Sequence, residues 1–153
     1  MAYRTIYFTV EFDGLEKAIA QLERFHDRKV DDIKEAVKQG GEAIKDRAKK
    51  NLIRKDMIDT GALYASLYNK HEGLEAYIGT PLDYGLYQEF GTGIYSVFGT
   101  GRKTPWVYYY RGRKRPHGFV WTRGNKPQPW LLPAFNDGIP EYLKEIREAL
   151  GRW

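Results

Sequence analysis

Apolar and polar positions alternate near the start of the chain, between residues 5 and 12. A period of two is typical of a β-strand with one buried face, so this segment predicts a strand. Asp13 then stands where it can cap a helix, and apolar residues recur at helical spacing from Leu15 to Phe25. The pattern therefore predicts an opening strand followed by a short amphipathic helix.

A longer helix is predicted from Asp31 to about Arg54, where apolar residues fall three, four or seven positions apart with charged residues between them. Gly40 and Gly41 interrupt this pattern. Glycine inside a helix destabilises it by about 1 kcal/mol relative to alanine. The pair therefore indicates the close approach of another backbone, a bend in the helix, or a helix that is simply weak at this point.

Two β-hairpins are predicted further along the chain, because short runs rich in apolar, aromatic and β-branched residues flank turn residues. Their strands lie at residues 67–70 and 74–79, turning at Glu72-Gly73, and at residues 106–110 and 119–122, joined by a basic turn at 111–118. The second hairpin is unusual in its density of tyrosine and tryptophan.

The regions around the second hairpin are predicted to be helical or flexible. Residues 84–90 predict one or two helical turns, and Gly91, Gly93, Gly99 and Gly101 predict a flexible stretch after them. Residues 129–150 predict a terminal helix, which Gly138 and Pro140 should kink or divide.

These elements predict an α+β fold in which a small, mostly antiparallel sheet packs with one long helix and a C-terminal helix, and a β-hairpin projects from it. A chain of 153 residues has the length of one domain. We expect a single domain over residues 1–153, with a basic aromatic loop and hairpin inserted at about residues 91–126.

Composition excludes several classes of function. The chain has no cysteine, which excludes disulfides, thiol nucleophiles and cysteine-rich zinc sites. His26, His71 and His117 lie far apart and show no metal-ligand spacing. No apolar run approaches the roughly 18 residues of a membrane-spanning helix, and no signal-peptide pattern opens the chain. We expect no metal, no cofactor, no membrane contact, and folding in a cytoplasm.

The charge of the chain is segregated. The net charge is +5, but no acidic residue lies between Glu89 and Asp137, and that interval carries eight of the 25 lysines and arginines. The rest of the chain is slightly acidic, with 17 basic and 20 acidic residues. A basic segment of this kind indicates a partner that is an acidic protein surface or a nucleic acid.

Two short motifs resemble those of enzymes. Asp59-Thr60-Gly61 matches the aspartic-protease signature, but those enzymes need two carboxylates that share a proton and a body that is almost all β. A turn explains the same residues, since Asp and Thr bond to local amides and Gly permits positive φ. The Gly-Thr-Gly triplets at 91–93 and 99–101 lack the rest of a phosphate-binding fingerprint. We predict no catalytic residues and no enzyme activity, with an aspartic protease at Asp59 as a remote alternative.

The basic aromatic hairpin has three interpretations. Its aromatics could belong to the core of the domain, with a solvated tip. It could be an arm that contacts a neighbouring subunit, because aromatics and arginine are enriched in interface anchors. It could also bind nucleic acid through phosphate contacts and base stacking. The residues assigned to the predicted interface are Trp106, Tyr108, Tyr110, Arg111, Arg113, Lys114, Arg115, Phe119 and Trp121.

Several motifs, in order along nearly the whole chain, resemble the phage minor tail or tail-completion protein family of siphophages. They are an Asp-Thr-Gly-Ala-Leu run, a Tyr-x-x-Tyr-x-Glu-Phe-Gly-Thr block, and a Pro-Gln-Pro-Trp-Leu-Leu-Pro-Ala block. The motif positions are Asp59, Thr60, Gly61, Tyr84, Tyr87, Glu89, Phe90, Gly91, Pro127, Pro129 and Trp130. In that family the region between the last two blocks is variable.

The resemblance implies a structural virion protein that forms a ring, hexameric by analogy, at the head-proximal end of a phage tail. Its partners would be copies of itself, the tail tube or tail terminator protein, and the head connector or stopper protein. DNA would pass through the lumen of the ring without specific binding. The protein would be made and assembled in the host cytoplasm and would reside in the neck of the virion.

Overall fold

Five α-helices and five strands form the described part of the chain, which comprises residues 6–9, 15–23 and 27–151 of a computed structural model. In chain order they are β1 (Ile6–Thr9), α1 (Leu15–Glu23), α2 (Asp27–Arg54), α3 (Ala62–Ser66), β2 (Tyr68–Glu72), β3 (Glu75–Thr80), α4 (Asp83–Phe90), β4 (Trp106–Tyr110), β5 (Gly118–Thr122) and α5 (Leu131–Gly151). The predicted α+β class, with its long helix, C-terminal helix and separate hairpin, is confirmed.

The larger sheet has three antiparallel strands in the order β1-β3-β2. β3 lies in the middle, with Ile6 opposite Thr80 on one side and Tyr68 opposite Gly79 on the other. The predicted turn between β2 and β3 is present, and Gly73 takes the positive φ of 59° that such a turn requires. Both the opening strand and the first hairpin were therefore predicted correctly.

The long helix α2 carries the core of the domain. Ile33, Val37, Ile44, Ala48 and Leu52 line one face at helical spacing and are at most 1% exposed. This face packs against β2, β3 and α5. The buried residues form one cluster that also takes in side chains from α1, α3 and β3.

Gly40 and Gly41 do not break α2, which runs unbroken from Asp27 to Arg54. A Cβ at Gly40 would overlap the ring of Tyr142, and one at Gly41 would overlap the amide of Asn69. Close approach was the correct interpretation of the two glycines, although side chains of α5 and β2, and not another backbone, come close.

The C-terminal helix α5 is a single helix of 21 residues, so the predicted division at Gly138 and Pro140 is wrong. Gly138 lies against Ile44, where a Cβ would overlap that side chain, so the glycine permits the approach of α5 to α2. Pro140 is on the exposed side of the helix. Tyr142 is 1% exposed, and this burial raises its pKa to about 12.

The sequence pattern did not predict helix α3 or a short 3-10 helix at Gly93–Tyr95. The predicted strand residues Val10 and Phe12, the cap at Asp13 and the helix residue Phe25 lie outside the described residues. No described helix is long and apolar enough to cross a membrane.

Candidate functional site

The hairpin of β4 and β5 forms a separate two-stranded antiparallel sheet. Residues that face each other across the two strands lie on the same face of a sheet, and successive residues alternate between faces. The registered pairs Val107 with Trp121 and Tyr109 with Phe119 therefore form one face, which we call the outer face. The opposite, inner face consists of Trp106, Tyr108, Tyr110, Val120 and Thr122.

The outer face lies in solvent in the isolated chain. Phe119 is 78% exposed and Trp121 is 75% exposed, and Val107 and Tyr109 are exposed as well. None of the hairpin aromatics belongs to the hydrophobic core formed by the described residues. The interpretation that placed these aromatics in the core of the domain is therefore wrong, and the interpretations that involve a partner remain.

Backbone groups close the root of the hairpin. The amide of Thr92 donates to the carbonyl of Asn125 at 2.9 Å, and the amide of Ile94 donates to that of Arg123 at 3.1 Å. A Cβ at Gly93 would overlap the carbonyl of Arg123, so only glycine allows the two chain segments to cross this closely.

The stretch at 91–101 is therefore only partly as predicted. Gly91 and Gly93 are buried, whereas Gly99 is exposed with no atom near its Cβ position. The prediction of a flexible stretch is wrong for its first part, because the glycines there serve a hydrogen-bonded crossing.

The tip of the hairpin is held by Asp59, which lies in the connection between α2 and α3. The hydroxyl of Tyr110 donates to Oδ2 of Asp59 at 2.7 Å, and the amide of Lys114 donates to Oδ1 at 3.1 Å. The amide of Arg113 also donates to Oδ1. Nζ of Lys114 forms an ion pair with the carboxylate of Asp56 at 2.8 Å. We call these contacts the tip latch.

The tip latch explains the Asp-Thr-Gly motif without catalysis. The hydrogen bond from Tyr110 is the largest cause that lowers the pKa of Asp59, and the two amides lower it further against partial desolvation. The carboxyl group is thus held in its ionised form, whereas the aspartic-protease pair shares a proton. Gly61, at a φ of 82°, and the Thr60 hydroxyl, which accepts from the Ala62 amide at 3.4 Å, form the predicted turn.

Arginines of the hairpin lie against its aromatic rings. The guanidinium of Arg115 is 4.3 Å from the centroid of Tyr110 and donates to the hydroxyl of Tyr108 at 2.6 Å. Arg111 lies 5.6 Å from the ring of Tyr109. In the described residues no ion pair joins Arg111, Arg113 or Arg115 to a carboxylate. Most of the predicted positive tip is therefore available to an acidic partner, with Lys114 as the exception.

A cleft of about 780 Å³ separates the inner face of the hairpin from α4. Trp106 and Tyr108 line one wall, and Tyr84 and Tyr87 line the other. Phe90 and Phe98 also line it, with their ring centroids 4.9 Å apart. The hairpin is thus fixed at its root and its tip, with an open aromatic space between.

Glu89 joins two of the sequence motifs. It is 2% exposed, and its carboxylate accepts hydrogen bonds from the amides of Trp130, Leu131 and Leu132 at 2.7 to 2.9 Å. These amides begin α5 and have no acceptor within the helix, and the helix dipole favours a negative charge there. Glu89 is therefore a structural cap.

The neighbouring motif positions support this cap. Nε1 of Trp130 donates to the carbonyl of Gly85, and the amide of Gln128 donates to that of Gln88 at 2.7 Å. Gln128 lies between Pro127 and Pro129, which have no amide hydrogen of their own. These motif positions lie at the junction of α4 and α5, away from the hairpin tip.

The sequence pattern missed three residues of this region. Val107 and Tyr109 belong to the outer face, and the period of two along β4 was the signal that could have shown it. Asn51 was missed as well: its amide donates to the carbonyl of Trp130 at 3.0 Å, 79 residues away, and no local pattern indicates such a contact. Among the described residues no group of three or more His, Asp or Glu side chains could hold a metal ion.

Residues 16–91 match the model of a family described as "Bacteriophage HK97-gp10, putative tail-component". Over these residues, just under half of the chain, the sequence is similar to the HK97-gp10-like family. The match runs from α1 to the end of α4 and stops at Gly91, where the root of the hairpin begins. No curated protein and no solved structure matches the chain.

This description suggests a phage tail component, which is consistent with the structural tail protein that the sequence motifs predicted. The resemblance to a siphophage tail or neck family is confirmed at this level.

Proposed function

We propose that this tail component forms a ring, hexameric by analogy with its family, at the head-proximal end of the tail. The ring completes the tail and joins it to the head connector or stopper protein, while the tail tube or tail terminator protein binds its other side. The single observation that carries this proposal is the exposed aromatic outer face, since a free apolar patch of this kind marks a protein interaction site.

The hairpin at about residues 91–126 is the assembly element in this proposal, inserted into a single domain. Its interface residues are Trp106, Tyr108, Tyr110, Arg111, Arg113, Lys114, Arg115, Phe119 and Trp121, together with Val107 and Tyr109. A ring contact is heterologous, which means that each subunit offers two different surfaces. The hairpin supplies one of them.

The positive tip contacts an acidic protein surface of an adjacent ring. DNA moves through the lumen during ejection, and tight phosphate binding there would slow it, so the arginines face protein and the lumen binds DNA without specificity. The protein catalyses nothing in this proposal. Proteolysis by the purified chain that is lost in Asp59→Asn would contradict that statement.

Imaging of intact particles tests the proposal. Cryo-electron microscopy of purified virions should show a ring of this chain between the tail tube and the head connector. The purified chain should be monomeric in sedimentation experiments and should form rings when tail tubes are added. Density for the chain elsewhere in the tail, with none at the neck, would overturn the neck assignment.

A further inference from the structure

Phe119 and Trp121 form an apolar knob on the outer face of the hairpin. They are the two most exposed of the large apolar side chains among the described residues, at 78% and 75%. Tyr109 packs edge-on against Phe119, with ring centroids 5.2 Å apart and an interplanar angle of 82°. Tyr109 and Phe119 therefore do not form a flat stacking platform, which is the geometry that nucleic-acid bases prefer.

The cleft on the other side of the same hairpin has the size and the lining to accept aromatic side chains. Its volume of about 780 Å³ falls within the roughly 300–1,000 Å³ of clefts that bury most of a bound molecule. Its walls are aromatic, from Tyr84 and Tyr87 on α4 to Trp106 and Tyr108 on β4. Arg102 also lines it, 5.7 Å from the ring of Trp106, where a guanidinium can stack on a further ring.

The knob and the cleft cannot meet within one chain, because they lie on opposite faces of one two-stranded sheet. The root and the tip latch fix that sheet in place, so it cannot turn over. A knob that matches a cleft elsewhere on the same molecule produces a head-to-tail contact between copies, and such contacts form rings when the rotation closes.

We propose that Phe119 and Trp121 of one copy insert into the cleft between α4 and β4 of the next copy. This inference rests on the proposed ring and names the contact that builds it. Each hairpin then lies between two neighbours, with its outer face in the cleft of one copy and its inner face receiving the knob of the other.

The positions of the knob and the cleft favour this arrangement over a symmetric pairing of two hairpins. A symmetric pairing of two outer faces would bury the two knobs against each other and leave both clefts empty. The head-to-tail contact fills each cleft with the knob of a neighbour. The occupant of the cleft is therefore a second copy in head-to-tail orientation.

The size of the knob explains why free chains do not assemble in this proposal. Large aromatic side chains bury roughly 150–250 Å² each, so the knob offers about 300 Å² at its exposed fractions. A stable interface buries about 800 Å² on each partner. One knob-in-cleft contact is thus too small to hold two free chains together. Closure of the ring on a tail supplies the remaining buried area.

Cross-linking in particles tests the contact, and the chain is suited to it because it contains no cysteine. Phage carrying both Phe119→Cys and Tyr87→Cys are purified and treated with a short bismaleimide. We expect a ladder of covalent oligomers up to the ring on a denaturing gel. Each single-cysteine variant should stay monomeric.

Three outcomes decide the matter against the proposal. Dimers from Phe119→Cys alone would show a symmetric hairpin contact. Particles that contain the ring but give no ladder from the double variant would refute the knob-in-cleft contact and leave the ring intact. Particles in which microscopy shows no ring would refute both proposals together.

Loss of the knob provides a second readout. Phe119→Ala with Trp121→Ala should lower the yield of joined particles by at least about tenfold, because buried aromatics are the usual hot spots of interfaces. Ile53→Ala, which removes a 58% exposed side chain on α2, is the matched control and should leave the yield unchanged. Equal yields from the two variants would overturn the proposal.

Discussion

Glu89 shows how much one side chain holds together at the residue scale. It lies on α4, yet its carboxylate binds the first amides of α5. The motifs in the sequence place Glu89 in one block and Trp130 in another, 41 residues later. The two motifs are therefore in direct contact in the structure. Loss of this contact should lower the free energy of unfolding.

We expect Glu89→Ala to lower the free energy of unfolding by at least about 3 kcal/mol, because buried amides lose their acceptor at about 1–3 kcal/mol each. Glu89→Gln keeps one acceptor oxygen and removes the charge at the start of α5, so it should cost about 1–2 kcal/mol. Urea denaturation measures both. Glu16→Gln, an exposed change on α1, is the control, and an alanine variant as stable as this control would refute the cap.

Asp59 should make the tip latch dependent on pH. Its pKa in the folded chain is lowered, so its contribution is fully present above the unfolded pKa of about 3.9 and is lost as pH falls through the lower folded value. The amide chemical shifts of Arg113 and Lys114 should report this transition together. Asp59→Asn should abolish it, and the exposed Asp46→Asn should not. A transition that persists in Asp59→Asn would assign it to another group.

At the scale of elements, the hairpin could be predicted and its position could not. The aromatic and β-branched residues of β4 and β5 indicate strands, and their alternation separates the two faces. The face that lies toward the body depends on the tip latch, which joins Asp59 to Tyr110 across 51 residues, and no local pattern shows this contact.

The structural roles of two glycines could not be predicted from the sequence either. Gly138 was predicted to kink or divide its helix and Gly93 to lie in a flexible stretch, and the structure shows that each one permits close packing. A sequence gives the same signal for a glycine that frees the backbone and for one that admits a neighbour, and only tertiary contacts distinguish them.

Removal of the hairpin tests whether it is a separate element. Gly101 and Gly124 both lie against Gly93, so a short Gly-Ser linker can replace residues 102–123. We expect the shortened chain to keep its helical circular dichroism and a cooperative melting transition, since no core residue is lost, and to fail in joining heads to tails. An unfolded product would show that the domain needs the hairpin to fold. Normal joining of heads to tails would show that assembly does not need the hairpin.

At the scale of the whole molecule, the segregated charge separates an assembly role from a nucleic-acid role. The segment between Glu89 and Asp137 contains eight basic residues and no acidic residue. Among the described residues, Lys114 of this segment forms an ion pair with Asp56 in the rest of the domain. Both an acidic protein surface and DNA could neutralise the rest. Salt dependence and assembly distinguish the two.

Reversal of two tip charges, Arg113→Glu with Arg115→Glu, should impair the joining of heads to tails and leave the core folded, because exposed charges contribute little to stability. The same charge change at Lys50 and Arg147, both exposed and away from the hairpin, is the control and should be tolerated. Particle yield and circular dichroism measure the two effects.

DNA binding by the unmodified chain should be weak and without sequence preference. Binding through several phosphates would fall about a thousandfold or more between about 50 and 200 mM salt. Submicromolar binding to duplex DNA at physiological salt, lost in the charge-reversal variant while particles still assemble normally, would favour the nucleic-acid alternative.

The crossing at the root has a consequence for how such chains diversify. It closes through backbone groups and glycines, and the family match ends at Gly91, just before it. A segment closed in this way places no demand at its root on the side chains beyond it, and the tip latch is its remaining tie to the matched part of the chain. Recombination can therefore replace the hairpin segment after Gly91 as one unit. The new segment can bind a different partner while the sequence of the rest of the domain stays unchanged.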